Sequence, residues 1–351
     1  MNGISLCAKW LKSENTSSKE SRRLAKKTRE YLNITPKEYR KMLSKLREKI
    51  NVLERLMSAG EWEKIEFDKI PSKAGLVYRN AFARRDIIAK KYEDFAKDEN
   101  NKVNAGTLYP YEVVEKVCDK IDFWEEEFTG NNTERAMLNK YWACLPDYLD
   151  GADCSMLCVV DTSGSMRGRP LDVAISLGLY TAERVTGPFA GRYISFSSIP
   201  RLIKTDGIDF VDKVERIYRT NLCQNTNLTA VFDLLLNTYL KYNVKKEDMP
   251  KTIVVISDME IDYMSNWRSR TAVTEIGKVR EKWDKYGVEV PKLIYWNVNS
   301  RNSNTILDNG PNISFVSGCS PVIYKSILTG KTGFELMLET LLNERYEYVK
   351  I

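Results

Sequence analysis

Apolar residues recur at three- and four-residue steps through the N-terminal part of the chain, which is the spacing of amphipathic helices. The clearest run begins at Thr35-Pro36-Lys37-Glu38, where a threonine cap, a first-turn proline and a glutamate able to close a capping box stand together. Apolar positions continue to Met57 and Gly60 ends the pattern, so a helix is predicted across this stretch. Further helices are predicted over residues 16–32, 72–97, 109–128 and 132–143.

Beyond about residue 150, apolar runs of strand length alternate with helical stretches, a pattern typical of βαβ units and a largely parallel sheet. Two of the runs are continuously apolar, which indicates strands covered by helices on both faces. The predicted strands are Ser155–Val160, Arg192–Ser197, Lys251–Ser257, Lys292–Asn297 and Ile313–Ser317, with a short edge strand at Arg201–Lys204. The predicted helices are Arg169–Val185, Asp209–Arg219, Thr229–Lys241, Arg268–Tyr286, Pro321–Leu328 and Thr332–Glu344.

These patterns predict an α/β fold class, in which a Rossmann-like, mostly parallel sheet is flanked by helices and preceded by an all-helical segment. We expect two domains, a helical region over residues 1–150 and a sheet-containing domain over residues 151–351. A chain of 351 residues with 43% hydrophobic content can bury more than one core. Four tryptophans of the helical region are expected to pack in its interior: Trp10, Trp62, Trp124 and Trp142.

Composition narrows the possible classes of protein. No apolar run approaches the length of a membrane span and the first residues lack a secretory signal, so no membrane contact is expected. The seven cysteines are odd in number and form no Cys-x-x-Cys, which fits reduced thiols in a cytoplasmic protein. The absence of histidine excludes Ser-His-Asp and Cys-His catalysis and histidine-ligated zinc or haem. Any bound metal must therefore be held mainly by oxygen.

The formal net charge of +6 is unevenly distributed. Residues 1–49 contain fourteen Lys and Arg residues against five Asp and Glu residues. Such a surplus can attract RNA, but a basic run is also typical of a solvated helix face. If RNA is bound, the candidate residues are Arg22, Arg23, Lys26 and Lys27.

Oxygen-bearing side chains follow the first predicted strand at alternate positions, in Asp161-Thr162-Ser163-Gly164-Ser165. This spacing points Asp161, Ser163 and Ser165 the same way at the carboxyl edge of the sheet, where ligands bind in open α/β folds. Thr226 precedes a helix and Asp258 ends another apolar strand, at positions that can complete the group. One or two carboxylates with several hydroxyls suit Mg²⁺, or Mn²⁺ or Ca²⁺. Alternatively, Asp161 and its serines cap the helix that follows them.

This arrangement resembles the metal-ion-dependent adhesion site of the von Willebrand A family, whose pattern is Asp-x-Ser-x-Ser, then Thr, then Asp. The resemblance covers roughly residues 152–345. It implies that Asp161, Ser163 and Ser165 are the near metal ligands, that Thr226 binds directly or through water, and that Asp258 acts through water. It also implies one open coordination position for an acidic group of a protein partner. Gln224-Asn225 stand where many relatives have Gly-Gly, so the role of Thr226 is the least determined.

A finer resemblance links the chain to an uncharacterised A-domain family related to the Ro ribonucleoproteins, which carry a helical TROVE region before their A domain. It is carried by four segments: Asp161-Thr162-Ser163-Gly164-Ser165-Met166, Ile256-Ser257-Asp258-Met259-Glu260-Ile261-Asp262, Tyr295-Trp296-Asn297-Val298 and Val316-Ser317-Gly318-Cys319-Ser320-Pro321. The last part of the helical region resembles this chain at Ala8-Lys9-Trp10-Leu11, Tyr39-Arg40, Trp62 and Pro71-Ser72. The resemblance implies that residues 1–150 are a partial TROVE-like helical part. We expect the chain to begin inside that region and not to form a complete RNA-binding ring.

The sequence therefore predicts a non-enzymatic, metal-dependent binding module that captures an acidic group of a protein partner. The alternative is an RNA-associated, Ro-like component that uses the basic N-terminal helices. A metal-dependent hydrolase ranks last, because no general base is recognisable. Glu260 and Asp262, beside Asp258, are expected to be solvated loop charges, the alternative being a second cation site.

Overall fold

The chain divides between Asn104 and Ala105 into two units. The structure is a computed structural model and describes residues 7–50, 52–122, 124–148, 155–197, 199–220, 227–258, 271–299, 313–319, 323 and 333–344. The helices of residues 105–148 therefore belong to the same unit as the sheet, whereas the sequence pattern changes only near residue 150.

The first unit is helical. A threonine cap and a glutamate at its third position form the predicted capping box of one helix, with Thr35 and Glu38 bonded reciprocally. Tyr39 and Leu43 of this helix bury their side chains against Ala25 of the preceding one. The helices are α1 (Cys7–Trp10), α2 (Lys19–Tyr31), α3 (Pro36–Lys49), α4 (Leu53–Ser58), α5 (Ser72–Arg84) and α6 (Asp86–Lys97), with 3-10 turns at Trp62–Lys64 and Phe67–Lys69.

Two predicted helices of this unit are each split in two. The stretch predicted to continue from α3 to Gly60 is interrupted because Val52 is extended (φ −63°, ψ 124°), and β-branched valine favours a helix weakly. The stretch over residues 72–97 breaks where Arg85 takes an extended conformation (φ −91°, ψ 106°). The second break lets Phe82 and Tyr92 meet with ring centroids 5.5 Å apart. Burial of aromatic surface thus outweighs a continuous helical pattern.

The second unit begins with α7 (Pro110–Cys118) and α8 (Asn132–Ala143). The prediction of one helix over residues 109–128 is wrong beyond Cys118. There the chain turns, and a β-bridge joins Ile121 to Phe128. Asp122 stabilises this turn, because its Oδ1 accepts hydrogen bonds from the backbone N–H groups of Trp124 and Glu125.

The sheet follows the order β3-β2-β1-β4-β5-β6, and every neighbouring pair is parallel except β2 and β3. This doubly wound order, with helices between the strands, confirms the predicted fold class. The strands are β1 (Met156–Val160), β2 (Arg192–Ser195), β3 (Arg201–Lys204), β4 (Thr252–Ser257), β5 (Lys292–Asn297) and β6 (Ile313–Ser317). The helices are α9 (Arg169–Arg184), α10 (Phe210–Arg219), α11 (Leu228–Tyr242), α12 (Thr271–Asp284) and α13 (Gly333–Leu341), with 3-10 turns at Gly164–Met166 and Lys246–Asp248.

Both faces of the central strands are buried, as their continuous apolar runs predict. On one face, Leu157 and Val255 pack with Phe232 of α11 and Trp283 of α12. On the other, α9 approaches so closely that a Cβ at Gly178 would lie 2.4 Å from Val160 Cγ2. This contact seats α9 directly behind the end of β1.

Two of the four tryptophan predictions are wrong. Trp62 and Trp142 are buried, whereas Trp10 and Trp124 are 67% and 87% exposed. Trp124 is exposed because it lies in the turn after α7 and not in a longer helix. Four cysteines are free thiols, Cys118, Cys144, Cys158 and Cys319. Over the described part of the chain, no helix is long and apolar enough to cross a membrane.

Candidate metal site

The pairing of β1 with β4 brings two polar segments to one edge of the sheet. Val160 lies opposite Ile256 in the parallel register, so the residues that follow them, Asp161 and Ser257, are neighbours. Both lie at carboxyl ends of strands, where α/β sheets bind their ligands. Each apolar run ends at this edge, so the polar residues of both segments begin at the same level of the sheet.

Asp161 is buried, with 2% of its surface exposed. Its Oδ1 accepts a hydrogen bond of 2.9 Å from the backbone N–H of Ser163. Its Oδ2 accepts a hydrogen bond of 2.6 Å from the hydroxyl of Ser257. Burial raises the pKa of Asp161, these hydrogen bonds oppose the increase, and the negative charge of Asp258 adds to it. A carboxylate held in this way is stabilised in its ionised form by a cation.

The two serine hydroxyls of the motif lie side by side. Ser163 Oγ and Ser165 Oγ are 3.1 Å apart, and the 3-10 turn at Gly164–Met166 brings them together. Adjacent ligands of an octahedral ion with bonds of about 2.1 Å are separated by about 3.0 Å. The hydroxyl pair therefore has the spacing of two neighbouring ligands of Mg²⁺.

Asp258 lies at the same edge. It is 6% exposed, and its backbone N–H donates to Met166 Sδ over 3.1 Å. This contact joins the loop after β1 to the end of β4. The structure thus brings together four of the five predicted ligands: Asp161, Ser163, Ser165 and Asp258.

These four residues form a group of oxygen ligands with low total charge, which fits a hard cation. Within the described residues, no group of three or more Cys, Asp or Glu side chains could hold a metal. A cation at this edge would therefore need the serine hydroxyls as well as Asp161. Carboxylate and hydroxyl oxygens are ligands that Mg²⁺ accepts while it keeps some of its waters.

Three predicted residues of the site region lie outside the described residues: Thr226, Glu260 and Asp262. The candidate RNA-binding residues Arg22, Arg23, Lys26 and Lys27 all lie on α2 in the first unit, with exposed side chains. Arg23 Nη2 is 2.8 Å from Glu20 Oε1, and Lys26 Nζ is 3.8 Å from Glu30 Oε1. Part of the basic charge of α2 is therefore neutralised within the helix.

Sequence reasoning missed two residues that organise this edge. Ser257 orients the carboxylate of Asp161, and Met166 Sδ accepts a hydrogen bond from the backbone N–H of Asp258. The signal for Ser257 was its place in Ile256-Ser257-Asp258, next to the second predicted aspartate. Its role follows only when β1 and β4 are known to be paired in register.

Comparison with known families covers both parts of the chain. Residues 155–347, more than half of the chain, match the family described as "Domain of unknown function (DUF7788)". The chain belongs to the DUF7788 family. Residues 4–150 match a second family, "Domain of unknown function (DUF2828)".

This DUF7788 protein is similar to "Uncharacterized protein L728" of Acanthamoeba polyphaga mimivirus. The two are 30% identical over 348 residues, which cover 93% of this chain and 58% of the relative. The chain thus spans a little over half the length of that relative. Among solved structures it resembles the Deinococcus radiodurans RO (RSR) protein, with a TM-score of 0.41 and 12% identity over 94% of this chain and 74% of that chain.

Proposed function

We propose that this DUF7788 protein is a non-enzymatic, metal-dependent binding module that captures an acidic group of a protein partner. The observation that carries the proposal is the pairing of the Ser163 and Ser165 hydroxyls, 3.1 Å apart, beside the buried carboxylate of Asp161. This group of oxygen atoms has an arrangement that suits a divalent ion, and it lies at the ligand-binding edge of the sheet.

Asp161, Ser163 and Ser165 would hold Mg²⁺, or Mn²⁺ or Ca²⁺ in its place. Asp258 would act through water, and Thr226 would complete the set. The ion supplies a Lewis-acidic position that takes a carboxylate oxygen. The chain itself contributes orientation, because Ser257 and the backbone of Ser163 hold both oxygens of Asp161. A low ligand charge leaves the ion attractive to a further anion.

A binding role is favoured over hydrolysis by the chain's own side chains. Proton transfer at neutral pH is most often performed by histidine, and the chain has none. The side chains of the candidate site are hydroxyls and carboxylates, whose oxygens would bind a cation. We therefore propose that the module is not an enzyme.

Calorimetric titration of the full chain with MgCl₂ and MnCl₂ tests the site. Wild type is expected to bind one ion, and Asp161→Ala is expected to lose binding by more than about tenfold. Asp206→Ala, which removes an exposed aspartate of the same unit, is the matched control. A wild-type chain that binds neither ion would overturn the proposal.

The capture step is tested with a fluorescent peptide that carries glutamate. Binding to the full chain is expected in MgCl₂ and is expected to vanish with EDTA, because the ion is the bridge between the two carboxylates. Capture that persists in EDTA would contradict a metal-dependent mechanism.

A second proposal is that α2 binds RNA. It is supported by four basic side chains that are exposed on this helix, Arg22, Arg23, Lys26 and Lys27. Phosphate contacts release counterions, so RNA affinity should fall steeply with salt. Reversal of the charges at Arg22 and Lys27 should weaken RNA binding and leave Mg²⁺ binding unchanged. Flat salt dependence in a gel-shift titration would exclude this role.

A further inference from the structure

Two exposed arginines follow the candidate metal site in the chain. Arg167 and Arg169 come two and four residues after Ser165, and both side chains are exposed. Gly168 between them has a φ of +83°, a left-handed conformation that lets the chain turn sharply there. The site is thus followed at once by two cations at the surface.

The two arginines act on different neighbouring side chains. Burial raises the pKa of Tyr218 in α10, and the charge of Arg167 opposes the increase. Arg169 stands over the ring of Tyr111 in α7, with its Cζ 5.9 Å from the centroid. Burial raises the pKa of the Cys319 thiol, just beyond β6, and the charge of Arg169 opposes this increase.

The two arginines affect which anion the site would accept. A single carboxylate would be satisfied by the ion alone. Further carboxylates beside it in the partner would meet the positive charges of Arg167 and Arg169, which attract acidic groups and repel basic ones. Like burial, the negative charges of Glu126 and Asp172 raise the pKa of Tyr218, against the effect of Arg167. They partly offset the charge of Arg167, so Arg169 should contribute more.

We propose that Arg167 and Arg169 select a protein segment with several adjacent carboxylates, one of which would bind the ion. This inference rests on the proposed function, because the metal must be present to take the first carboxylate. It goes further by specifying the partner as an acidic run and not an isolated Asp or Glu.

The opposite edge of the same sheet offers a matched control. Lys251 and Lys292 are exposed at the amino ends of β4 and β5, far along the strands from Asp161. Substitution of both by glutamine changes the net charge as much as substitution of both arginines. The two double variants therefore separate a local effect from one of total charge.

The experiment measures fluorescence anisotropy of two labelled peptides with the full chain in MgCl₂. One is a Gly/Ser peptide with a single glutamate, and the other has a run of glutamates. Wild type should prefer the acidic run by about fivefold to tenfold, since each exposed charge pair contributes up to about fivefold. Arg167→Gln with Arg169→Gln should remove the preference and change single-glutamate binding by less than about twofold. Arg169→Gln alone should remove more of it than Arg167→Gln alone.

Three results would overturn the inference: equal wild-type affinity for both peptides, the same loss in the Lys251→Gln, Lys292→Gln control, or equal competition by single-stranded RNA of matched charge. Calorimetry with MnCl₂ on the same samples separates the two proposals. If wild type binds no Mn²⁺, the metal site itself is wrong. If Mn²⁺ binds equally to wild type and the arginine variant and no peptide preference exists, only the role of the arginines is wrong.

Discussion

Ser257 donates a hydrogen bond of 2.6 Å to Oδ2 of Asp161 from a position 96 residues away in the chain. The bond exists because β1 and β4 pair in parallel with Val160 opposite Ile256. It fixes one oxygen of Asp161, while the backbone N–H of Ser163 fixes the other. The geometry of the candidate site therefore depends on the register of the two central strands.

Removal of this hydroxyl should loosen the carboxylate without unfolding the domain. Ser257→Ala is expected to weaken Mg²⁺ binding about tenfold, since partners that orient a ligand typically contribute at least that much. Calorimetric titration measures the change. Ser195→Ala, a buried serine at the end of neighbouring β2, should leave the affinity unaltered. An equal loss in both variants would mean that Ser257 has no specific role.

Asp161 should lower the stability of the metal-free protein. Burial raises its pKa, so keeping it ionised at neutral pH costs folding free energy. Asp161→Asn is expected to raise the melting temperature in EDTA and to abolish the further rise that MgCl₂ gives to wild type. Thermal unfolding with and without MgCl₂ measures both effects. A variant that is less stable than wild type in EDTA would argue against this view.

Gly178 should be intolerant of a side chain because α9 contacts β1 there. Alanine at this position would place its Cβ 2.4 Å from Val160 Cγ2, so Gly178→Ala should lower the free energy of unfolding by about 1–3 kcal/mol. Val160→Ala makes room, and the double variant should be more stable than the sum of the two single effects implies. Urea denaturation of the four proteins tests this coupling, and strict additivity would show that the contact is not limiting.

Local chemistry made much of the fold predictable. Polar Lys292 and Asn297 flank an apolar run, so both ends of β5 were predicted correctly. The end of α5 before Arg85 was not predicted, because arginine is a good helix former and the break depends on where Phe82 packs. Predictions failed where a distant contact decided the local conformation.

The candidate site shows the same division. The spacing of Asp161, Ser163 and Ser165 is written in the sequence, and so is the strand before it. The role of Ser257 requires the strand register, and the approach of Arg169 to Tyr111 requires the packing of α7 on α9. The motif was therefore readable from the chain, whereas the residues that surround it were not.

Asp172, at the first turn of α9, should make stability depend on pH. Burial raises its pKa to about 7 from 3.8, with the Cys118 hydrogen bond and Lys116 opposing and Glu115 and Asp119 reinforcing the change. The folded protein then keeps a proton that the unfolded chain loses above about pH 4, so stability falls as the pH rises from about 4 to about 7.

Asp172→Asn should reduce this decrease and be more stable than wild type above pH 7, by about 2–4 kcal/mol. Urea denaturation at several pH values measures it. Replacement of exposed Asp206 by asparagine should leave the profile of wild type unchanged. If Asp172→Asn retains the full decrease between pH 4 and 7, another group is responsible.

Residues 105–148 should be required for the stability of the sheet-containing unit, although the family match begins at residue 155. Trp142 stacks on Phe210 of α10 with ring centroids 4.3 Å apart, and Arg135 makes two hydrogen bonds, of 2.7 and 2.8 Å, to Asp209. These contacts cover apolar surface of α10 and hold its first turn.

A fragment of residues 105–351 is therefore expected to unfold cooperatively. A fragment of residues 151–351 should have a free energy of unfolding that is lower by more than about 3 kcal/mol, which is the typical effect of removing one buried tryptophan. It should also bind a hydrophobic dye, because Phe210 and its neighbours become exposed. Urea denaturation of the two fragments compares them directly, and equal midpoints would place the boundary of the folding unit at residue 151. The expected difference would place it before α7, because α7 and α8 supply part of the core that the sheet-containing unit needs.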